Sequence, residues 1–554
     1  MLLRKLINNL SKDKRNIKIK GLAVNSKEVK KGFIFFAIAG NRINGEKYIN
    51  EAIDNGAVVI ICSRNCRLKN KKIQFIKTSN VRHLCSEISS KFFKKKPKNI
   101  IAVTGTNGKT SVADLFYQIL NLNKIPVASI GTLGIKYKSK IFNSELTSPE
   151  TIFLHKTLEK IKKNNIDNVI IEASSHGIDQ KRMDHLNLKA GIFTNFSQDH
   201  LDYHRTMKAY LNTKLLLFSK LLPKKKTIIT DKNLKEFPIL KKISTQRKLR
   251  LIDISKISDE LKKIKNINFN EFQLKNLSMA VVAAKLCKLK EGKIFKSIKR
   301  IKDVSGRLEL VRVFPNSIKV FVDFAHTPDA LEKSLMLLKK SYKKNISLVF
   351  GCGGDRDLRK RPLMAKVANS ICKKIYVTDD NPRNEKPEKI RKEIVKYLKK
   401  KNFHNIGNRA IAIKTSIIKA EPGEIILVAG KGHESKQIYE NKIINISDKK
   451  IIKNLKLRIK KISNKEQNYL QNIKIAKKII KKNQIKKFHG LSVDTRSLKK
   501  NNLFLTIKGK NNDGSKFISK ALKKGAKQVI SSKNIKTFKG KVIKVENEIK
   551  FLNQ

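Results

Sequence analysis

Apolar residues fall in short blocks that stop abruptly at Gly, Asp, Ser or Thr. The clearest are FIFFAIAG (33–40), NIIAVTG (99–105), NVIIEASS (168–175), AGIFTNFS (190–197), KVFVDFAHT (319–327), ISLVFGCGG (346–354), KIYVTDDNP (374–382) and IILVAGKGH (425–433). Each is short, bounded by turn formers and rich in Val, Ile or Phe, which predicts buried strands. YINEAIDNGAVVIIC (48–62) reads as a helix, a stop at Gly56 and another buried strand, and SVADLFYQIL (111–120) reads as an amphipathic helix. Strands alternating with helices predict α/β domains with mainly parallel sheets. Ligands of such sheets sit beyond the carboxyl ends of the strands.

The pattern at 22–57, LAVNSKEVKKGFIFFAIAGNRINGEKYINEAIDNGA, returns at 491–526 as LSVDTRSLKKNNLFLTIKGKNNDGSKFISKALKKGA, at a constant offset of 469. Gly40, Gly45 and Gly56 match Gly509, Gly514 and Gly525, Phe35 matches Phe504, and Ser26 matches Thr495. Compositional drift does not hold three glycines in register over such a length, so a second small α/β domain is expected near the C-terminus. The Lys- and Ile-rich stretch 449–490 reads as a linker into it, with helical stretches.

Length adds three to four domains to this picture: the chain has 554 residues. Charge adds less than it first suggests. Lys and Arg number 124 against 45 Asp and Glu, a formal +79, but the cations are spread along the whole chain and Trp is absent. A nucleic-acid site would concentrate them with aromatics, so drift toward Lys explains the balance and no specific nucleic-acid partner is expected. Cys62, Cys66, Cys85, Cys287, Cys352 and Cys372 lack the spacing of a zinc site and are expected as reduced thiols. The N-terminus carries no apolar core for a signal peptide, and no run reaches the ~18 apolar residues of a membrane span. A cytoplasmic protein without a membrane partner is expected.

The chemistry gathers at the strand ends. GTNGKT (105–110) follows a strand and opens a helix, the setting of a phosphate loop. Its glycines let backbone N–H groups close on phosphate oxygens, Lys109 reaches the β/γ phosphates, and Thr110 suits Mg²⁺. The loop is shorter than the common eight-residue form, since Val103 stands where that form has Gly. IEASSHG (171–177) and FSQDHLDYH (196–204) offer Glu172 and His200 as metal ligands, although a lone His is more often structural. Asp323 in VDFAHTPDAL suits a ribose diol; the competing role, a helix N-cap, goes to Thr327 or Asp329. Arg356 in GCGGDRD and Arg383 in TDDNPR are residues for clamping carboxylates, and Glu434 in GKGHE suits an amine. Separately each is ordinary turn chemistry; together they describe a site for a zwitterion. Asp199, Asp202, Asp355, Asp357, Asp379 and Asp380 also persist in a chain depleted of acids.

With GTNGKT, EASSHG, DHLDYH, GRLE (306–309), AHTPDAL, GCGGDRD, DNPR and GKGHE in this order, residues 20–460 resemble the Mur ligase family, in its diaminopimelate-adding branch. The resemblance implies a three-domain architecture: a UDP-precursor-binding α/β domain (1–95), a central P-loop ATP-binding domain (96–305) and a Rossmann-like amino-acid-binding domain (306–462). Residues 463–554 would be the linker and the extra α/β domain. That second copy resembles the first domain of the family's D-alanyl-D-alanine-adding branch. A phosphate loop at the same offset would fall near 574, so the copy is expected to be a truncated neighbour without ligase chemistry of its own. The implied reaction joins meso-2,6-diaminopimelate to UDP-N-acetylmuramoyl-L-alanyl-D-glutamate in peptidoglycan synthesis, through an acyl phosphate, with ATP and Mg²⁺, in a monomer.

Carried over by position, Gly105, Thr106, Asn107, Gly108, Lys109, Thr110, Ser111, Asn276, Asp323 and Arg409 would contact ATP. Ser26, Asn41 and Arg42 would meet the UDP part, and Thr147, Ser148, Ser174, Gln180 and Arg182 the muramoyl dipeptide. Arg356, Asp380, Asn381, Pro382, Arg383, Gly430 and Glu434 would bind diaminopimelate. Thr110, Glu172 and His200 would hold Mg²⁺, helped by Lys214 as a carbamate. Three positions depart from the family pattern: Asn25-Ser26-Lys27 for Asp-Ser-Arg, Phe324 for Tyr, and Gln273 for Asn. Rival readings are a lysine-adding or folylpolyglutamate-type ligase on the same scaffold, which Arg383 and the UDP-type first domain disfavour, and a nucleic-acid-binding P-loop ATPase, which leaves DNPR and GKGHE unexplained.

Overall fold

The computed structural model describes residues 1–8, 16–40, 43–70, 73–144, 146–264, 269–399, 403–456, 488–507, 513–533, 535–538, 541–548 and 551. They form two compact units, Met1–Leu455 and Lys456–Gln554.

The first unit holds three sheets. The first is parallel, with β1 (Gly21–Ala23), β2 (Phe33–Phe36), β3 (Ala57–Ser63) and β4 (Gln74–Thr78) side by side in that order. Alternate residues of β2 serve opposite faces. Ile34 and Phe36 pack under the helix Val81–Phe92, while Phe35 joins Ile49 and Ala52 of the helix Ile49–Asp54. Burial on both faces is why β2 and β3 read as nearly unbroken apolar runs.

The central sheet has eight strands: β5 (Asn99–Thr104), β6 (Val127–Gly131), β7 (Gly134–Tyr137), β8 (Lys140–Phe142), β9 (Asn168–Glu172), β10 (Ala190–Phe193), β11 (Thr227–Thr230) and β12 (Arg250–Asp253). Their order is β12-β11-β10-β5-β9-β6-β7-β8, parallel as far as β6 and antiparallel beyond. The helices Lys109–Leu122 and Glu271–Leu286 cover one face and Thr151–Lys163 the other. β10, β5 and β9 are neighbours. Their carboxyl ends therefore bring together Thr194-Asn195, the GTNGKT loop and Glu172, three segments far apart in the chain.

The third sheet orders β13 (Glu309–Val313), β14 (Lys319–Asp323), β15 (Ile346–Phe350), β16 (Lys374–Val377), β17 (Phe403–Asn405) and β18 (Ile425–Ala429) as β13-β14-β18-β15-β16-β17, with only β13 antiparallel. The adjacency of β14, β18, β15 and β16 lines up AHTPDAL, GKGHE, GCGGDRD and DNPR along one edge. A hairpin of β19 (Lys436–Ile438) and β20 (Ile443–Asn445) follows. The linker reading of 449–490 begins too early. The helix Asp448–Asn454 packs on β13, and Arg312 donates to the carbonyls of Ile452, Lys453 and Leu455. Residues 457–487, including the predicted helical stretches of that linker, lie outside the described residues.

The second unit is a parallel sheet of β21 (Leu491–Ser492), β22 (Leu503–Leu505), β23 (Gln528–Ser531) and β24 (Val542–Lys544), in that order. Its register repeats the first sheet at the sequence offset: Leu491 faces Leu503 as Leu22 faces Ile34, and Phe504 faces Val529 as Phe35 faces Ile60. Gly525 (φ 88°) repeats the left-handed stop at Gly56 (φ 98°), which only glycine adopts without strain. Asp513 caps its helical turn as Asn44 caps the equivalent one.

Candidate active site

The phosphate loop is shaped by what crowds it. Gly105 (φ 141°) and Gly108 (φ 87°) take backbone angles unfavourable to other residues. A Cβ on Gly105 would run into the Thr194 hydroxyl, and one on Gly108 would lie 2.5 Å from Asn276 Oδ1. The first amides of the loop are already held: Thr106 N–H by the Asn195 carbonyl and Asn107 N–H by the Asn195 side chain, both at 2.9 Å. The helix Lys109–Leu122 then starts without a side-chain cap, leaving its N-terminal amides and dipole for an anion. Lys109 folds back onto the carbonyls of Gly105 (2.9 Å) and Thr106 (2.7 Å). Burial lowers its proton affinity, partly offset by Glu172 and Asp199, and a phosphate beside it would favour its charged form.

Glu172, at the end of β9, is almost fully buried. Its carboxylate accepts from Thr110 Oγ1 (2.9 Å), Thr132 Oγ1 (3.1 Å) and Thr132 N–H (2.8 Å). His200 stands at the start of a short helix with φ 53°, a left-handed backbone that a residue with a Cβ keeps only when its surroundings hold it. Its Nδ1 is buried without a hydrogen-bond partner, and burial keeps the ring neutral. Among the described residues no three His, Cys, Asp or Glu side chains form a ready-made metal cluster. The set Thr110, Glu172 and His200, with a single carboxylate, fits Mg²⁺ as an ion that takes few protein ligands and completes its shell with phosphate and water.

Lys214 is also buried, with Nζ 2.8 Å from the Gly105 carbonyl and 4.3 Å from the centre of the Tyr210 ring. Burial, reinforced by Lys109, holds its amine well below the usual lysine range. Lowering the proton affinity of a lysine amine favours the form that can add CO₂.

Facing these residues is the edge of the third sheet. Thr106, Lys109, Glu172 and His200 share one cavity of about 280 Å³ with Arg356, Asp380, Asn381, Arg383, Gly430 and Glu434. Arg383 has φ 55° and donates to the carbonyls of Gly354 (2.8 Å) and Asn381 (3.2 Å). Burial and then Arg356 push its proton affinity down, against Asp380 and Glu434. A carboxylate entering between the two guanidiniums would relieve that repulsion. Lys431, fully buried, ties Asn381 Oδ1 (3.0 Å) to Glu434 Oε2 (2.9 Å), and Asn381 Nδ2 donates to Glu434 as well (3.1 Å). Pro382 does not line the cavity; its carbonyl lies against Gly354.

Of the remaining candidates, Thr147 and Ser174 line the cavity, while Ser148, Gln180 and Arg182 form a bonded cluster beside them. Arg182 donates to Ser148 O (2.8 Å) and Gln180 Oε1 (2.6 Å), and Ser148 Oγ donates to Glu172 O (2.7 Å). A second cavity, about 110 Å³, is lined by Asn107, Gly108, Ser111, Asn276 and Asp323. Asn276 Nδ2 is buried there without a partner. Asp323 accepts from Ser334 Oγ (2.5 Å) and Leu308 N–H (3.2 Å). Thr327, not Asp323, caps the following helix. Arg409 must be corrected. Its guanidinium is buried against Asp448, at 2.7 and 2.8 Å, and donates to Ala429 O, so it lines neither cavity. Its charge is spent holding the helix Asp448–Asn454 on the third sheet.

Ser26 is buried, donating to Glu51 Oε2 at 2.8 Å. The neighbouring residues 20–25 line a cleft of about 820 Å³ with Phe92, Phe93 and residues 149–150. Asn41 and Arg42 lie outside the described residues. Of the three departures, Phe324 keeps an aromatic face under the Arg307 guanidinium (4.4 Å), and Gln273 completes a capping box with Asn270.

Several cavity residues had no assigned role in the sequence: Arg307, His326 and Lys360. Arg307 Nη2 donates to Thr110 Oγ1 at 2.7 Å. Each lies inside or beside a quoted motif, which was the available signal, but their partners are on another sheet.

Comparison with known proteins matches residues 103–297 to the Mur ligase middle domain, 306–432 to the Mur ligase glutamate ligase domain, and both 18–93 and 487–551 to the Mur ligase family catalytic domain. The UDP-N-acetylmuramoyl-L-alanyl-D-glutamate--2,6-diaminopimelate ligase of Rickettsia montanensis is 38% identical over 463 residues, spanning 79% of this chain and 95% of that protein. A solved structure of a ligase with the same name superposes with a TM-score of 0.56 at 25% identity, covering 82% of this chain and 98% of its own. The MurF ligase of Thermotoga maritima in complex with ADP shares the fold, with a TM-score of 0.51 at 16% identity over 74% of this chain and 94% of its own.

Proposed function

The chain belongs to the Mur ligase family, and from that premise we propose how its residues carry out ATP-dependent addition of meso-diaminopimelate to UDP-N-acetylmuramoyl-L-alanyl-D-glutamate. The observation that carries the reading is one cavity that runs from the phosphate loop to Arg356, Arg383 and Glu434. The γ-phosphoryl group passes from ATP to the D-glutamyl side-chain carboxylate, and ADP departs. The free amine of diaminopimelate attacks the resulting acyl phosphate, a C–N bond forms as the C–O bond to phosphate breaks, and phosphate leaves with one oxygen of the former carboxylate and the proton lost by the amine.

Lys109 and the N-terminal amides of its helix hold the transferring phosphate and neutralise its charge. Thr110, Glu172 and His200 would hold Mg²⁺, which supplies further neutralisation of the phosphates. Asn276, Ser111 and Asp323 face the nucleoside end. Arg383 and Arg356 clamp a carboxylate of diaminopimelate while Glu434 and Asn381 orient its amine. Lys214, buried and with its proton affinity lowered, would take up CO₂ on its amine and release a proton, and the carbamate would offer a carboxylate to the ion. Substrates filling the cavity would keep water from the acyl phosphate. A monomer acting in the cytoplasm on small molecules, without membrane or nucleic-acid partner, fits this chemistry. Among the described residues no helix is long and apolar enough to cross a membrane.

The test supplies ATP, Mg²⁺ and the UDP-dipeptide with meso-diaminopimelate, L-lysine or L-glutamate in separate reactions, and weighs the product by mass spectrometry. Only diaminopimelate is expected to yield a tripeptide. Arg383→Ala should raise its KM by about 10–150-fold, the loss of a charge-assisted contact of roughly 1.5–3 kcal/mol, with little change for ATP. Comparable turnover of lysine or glutamate would overturn the assignment.

A further inference from the structure

Lys360 lines the catalytic cavity yet belongs to neither set of reacting groups just described. It comes from the first turn of the helix Lys360–Ile371 on the third sheet and reaches across to the loop after β10 on the central sheet. Its Nζ lies 2.8 Å from Asp199 Oδ1, and both side chains are more than nine-tenths buried. The same oxygen of Asp199 accepts the backbone N–H of His200 at 2.9 Å. The other oxygen faces the ring nitrogens of two histidines, His200 Nε2 at 3.4 Å and His326 Nε2 at 3.5 Å. Adjacent contacts bind the same two walls: Gln198 Nε2 donates to Asp357 Oδ2 (3.0 Å) and Asn107 Nδ2 to Asp329 Oδ2 (2.9 Å).

This geometry does two things to His200. The carboxylate engages its backbone N–H, which supports the left-handed conformation at φ 53°. It also stands at Nε2, which favours the tautomer with the proton there and leaves the lone pair on Nδ1, the nitrogen that is buried and without a partner. A carboxylate behind a histidine in this way is how proteins orient an imidazole ligand. A buried carboxylate without a counter-charge would be costly and would turn toward any available cation. Lys360 supplies that counter-charge from the opposite wall.

We propose that Lys360 is a positioning residue: by pairing with Asp199 it fixes the orientation of the His200 imidazole, and so couples metal binding on the phosphate side to the seating of the third sheet. Lys360 touches no reacting atom. This inference rests on the ligase reading of the site.

The test compares the wild-type chain with Lys360→Met, Lys360→Arg and Asp199→Asn. Mn²⁺ binding in the presence of ADP is followed by the loss of the free-ion EPR signal, and phosphate released is counted against tripeptide formed. Lys360→Met and Asp199→Asn should weaken Mn²⁺ binding about 10–100-fold, the usual cost of removing an outer partner of a metal ligand. They should also release more phosphate than tripeptide, while Lys360→Arg recovers part of both. Wild-type Mn²⁺ affinity and stoichiometric phosphate in Lys360→Met or Asp199→Asn, with the fold intact by thermal unfolding, would overturn the proposal. So would a loss of activity that merely follows a lower Tm with binding unchanged. Absence of tripeptide from the wild-type chain would instead contradict the ligase reading.

Discussion

At the scale of single residues, buried cations gather around one cavity. Burial depresses the proton affinity of Lys109, Lys214, Arg307 and Arg383 together around one cavity, as expected of a functional site. For Lys214 the consequence is chemical. In buffer stripped of CO₂, activity should fall and return with bicarbonate, and ¹³CO₂ should give a carbamate carbonyl resonance that Lys214→Ala lacks. The alanine variant should lose about 10–100-fold in turnover and recover partly with added formate; full activity without rescue would refute the carbamate. The motif residues could be read from the sequence because they sit at strand ends, where side chains meet ligands. Arg409 could not. Whether an arginine faces a ligand or is spent on a carboxylate depends on Asp448, which only the tertiary fold brings against it. Arg307 and Lys360 escaped notice for the same reason, since Thr110 and Asp199 belong to another sheet.

At the scale of elements, strands buried on both faces and ending in a motif were legible; β6 and β11, equally buried but without such an ending, were not singled out, and neither were the exposed strands. β9, β15 and β18 are buried throughout. β8 and β20 are wholly exposed, and β13 has no fully buried residue, so no apolar run announces them. The antiparallel edges they form were therefore absent from the expected architecture. Helices carry a further consequence. His155 lies fully buried in the helix Thr151–Lys163, and burial, with Lys96 and His185 nearby, lowers its pKa to about 3. The folded state keeps this imidazole neutral, whereas the unfolded chain protonates it below about 6.5. Its contribution to stability is thus complete above that pH and is lost as pH falls toward 3, at up to about 1.4 kcal/mol per pH unit. The Tm of the wild-type chain should fall more steeply between pH 6 and 4 than that of His155→Leu. Parallel curves for the two proteins would show that protonation of His155 does not drive the loss.

At the scale of the whole molecule, function comes from two sheets presenting their carboxyl edges to the same space. The central sheet contributes the phosphate loop, Glu172 and His200; the third contributes Arg356, Arg383 and Glu434. The internal repeat was legible because the pairing register of a parallel sheet is set by its apolar pattern, and that pattern recurs at one offset. The facing of the two edges was not legible, because contacts such as Asn107 to Asp329 join loops that share no local pattern. The central claim is that this shared space passes a phosphoryl group to a carboxylate before an amine arrives. It is tested most directly by following oxygen. UDP-N-acetylmuramoyl-L-alanyl-D-glutamate labelled with ¹⁸O in the D-glutamyl side-chain carboxylate is incubated with ATP, Mg²⁺ and meso-diaminopimelate in ordinary water, and the phosphate is analysed by mass spectrometry. Each phosphate released should carry one ¹⁸O atom from that carboxylate, in step with tripeptide formation. Unlabelled phosphate would mean that water, not the carboxylate, receives the phosphoryl group, and would contradict the account.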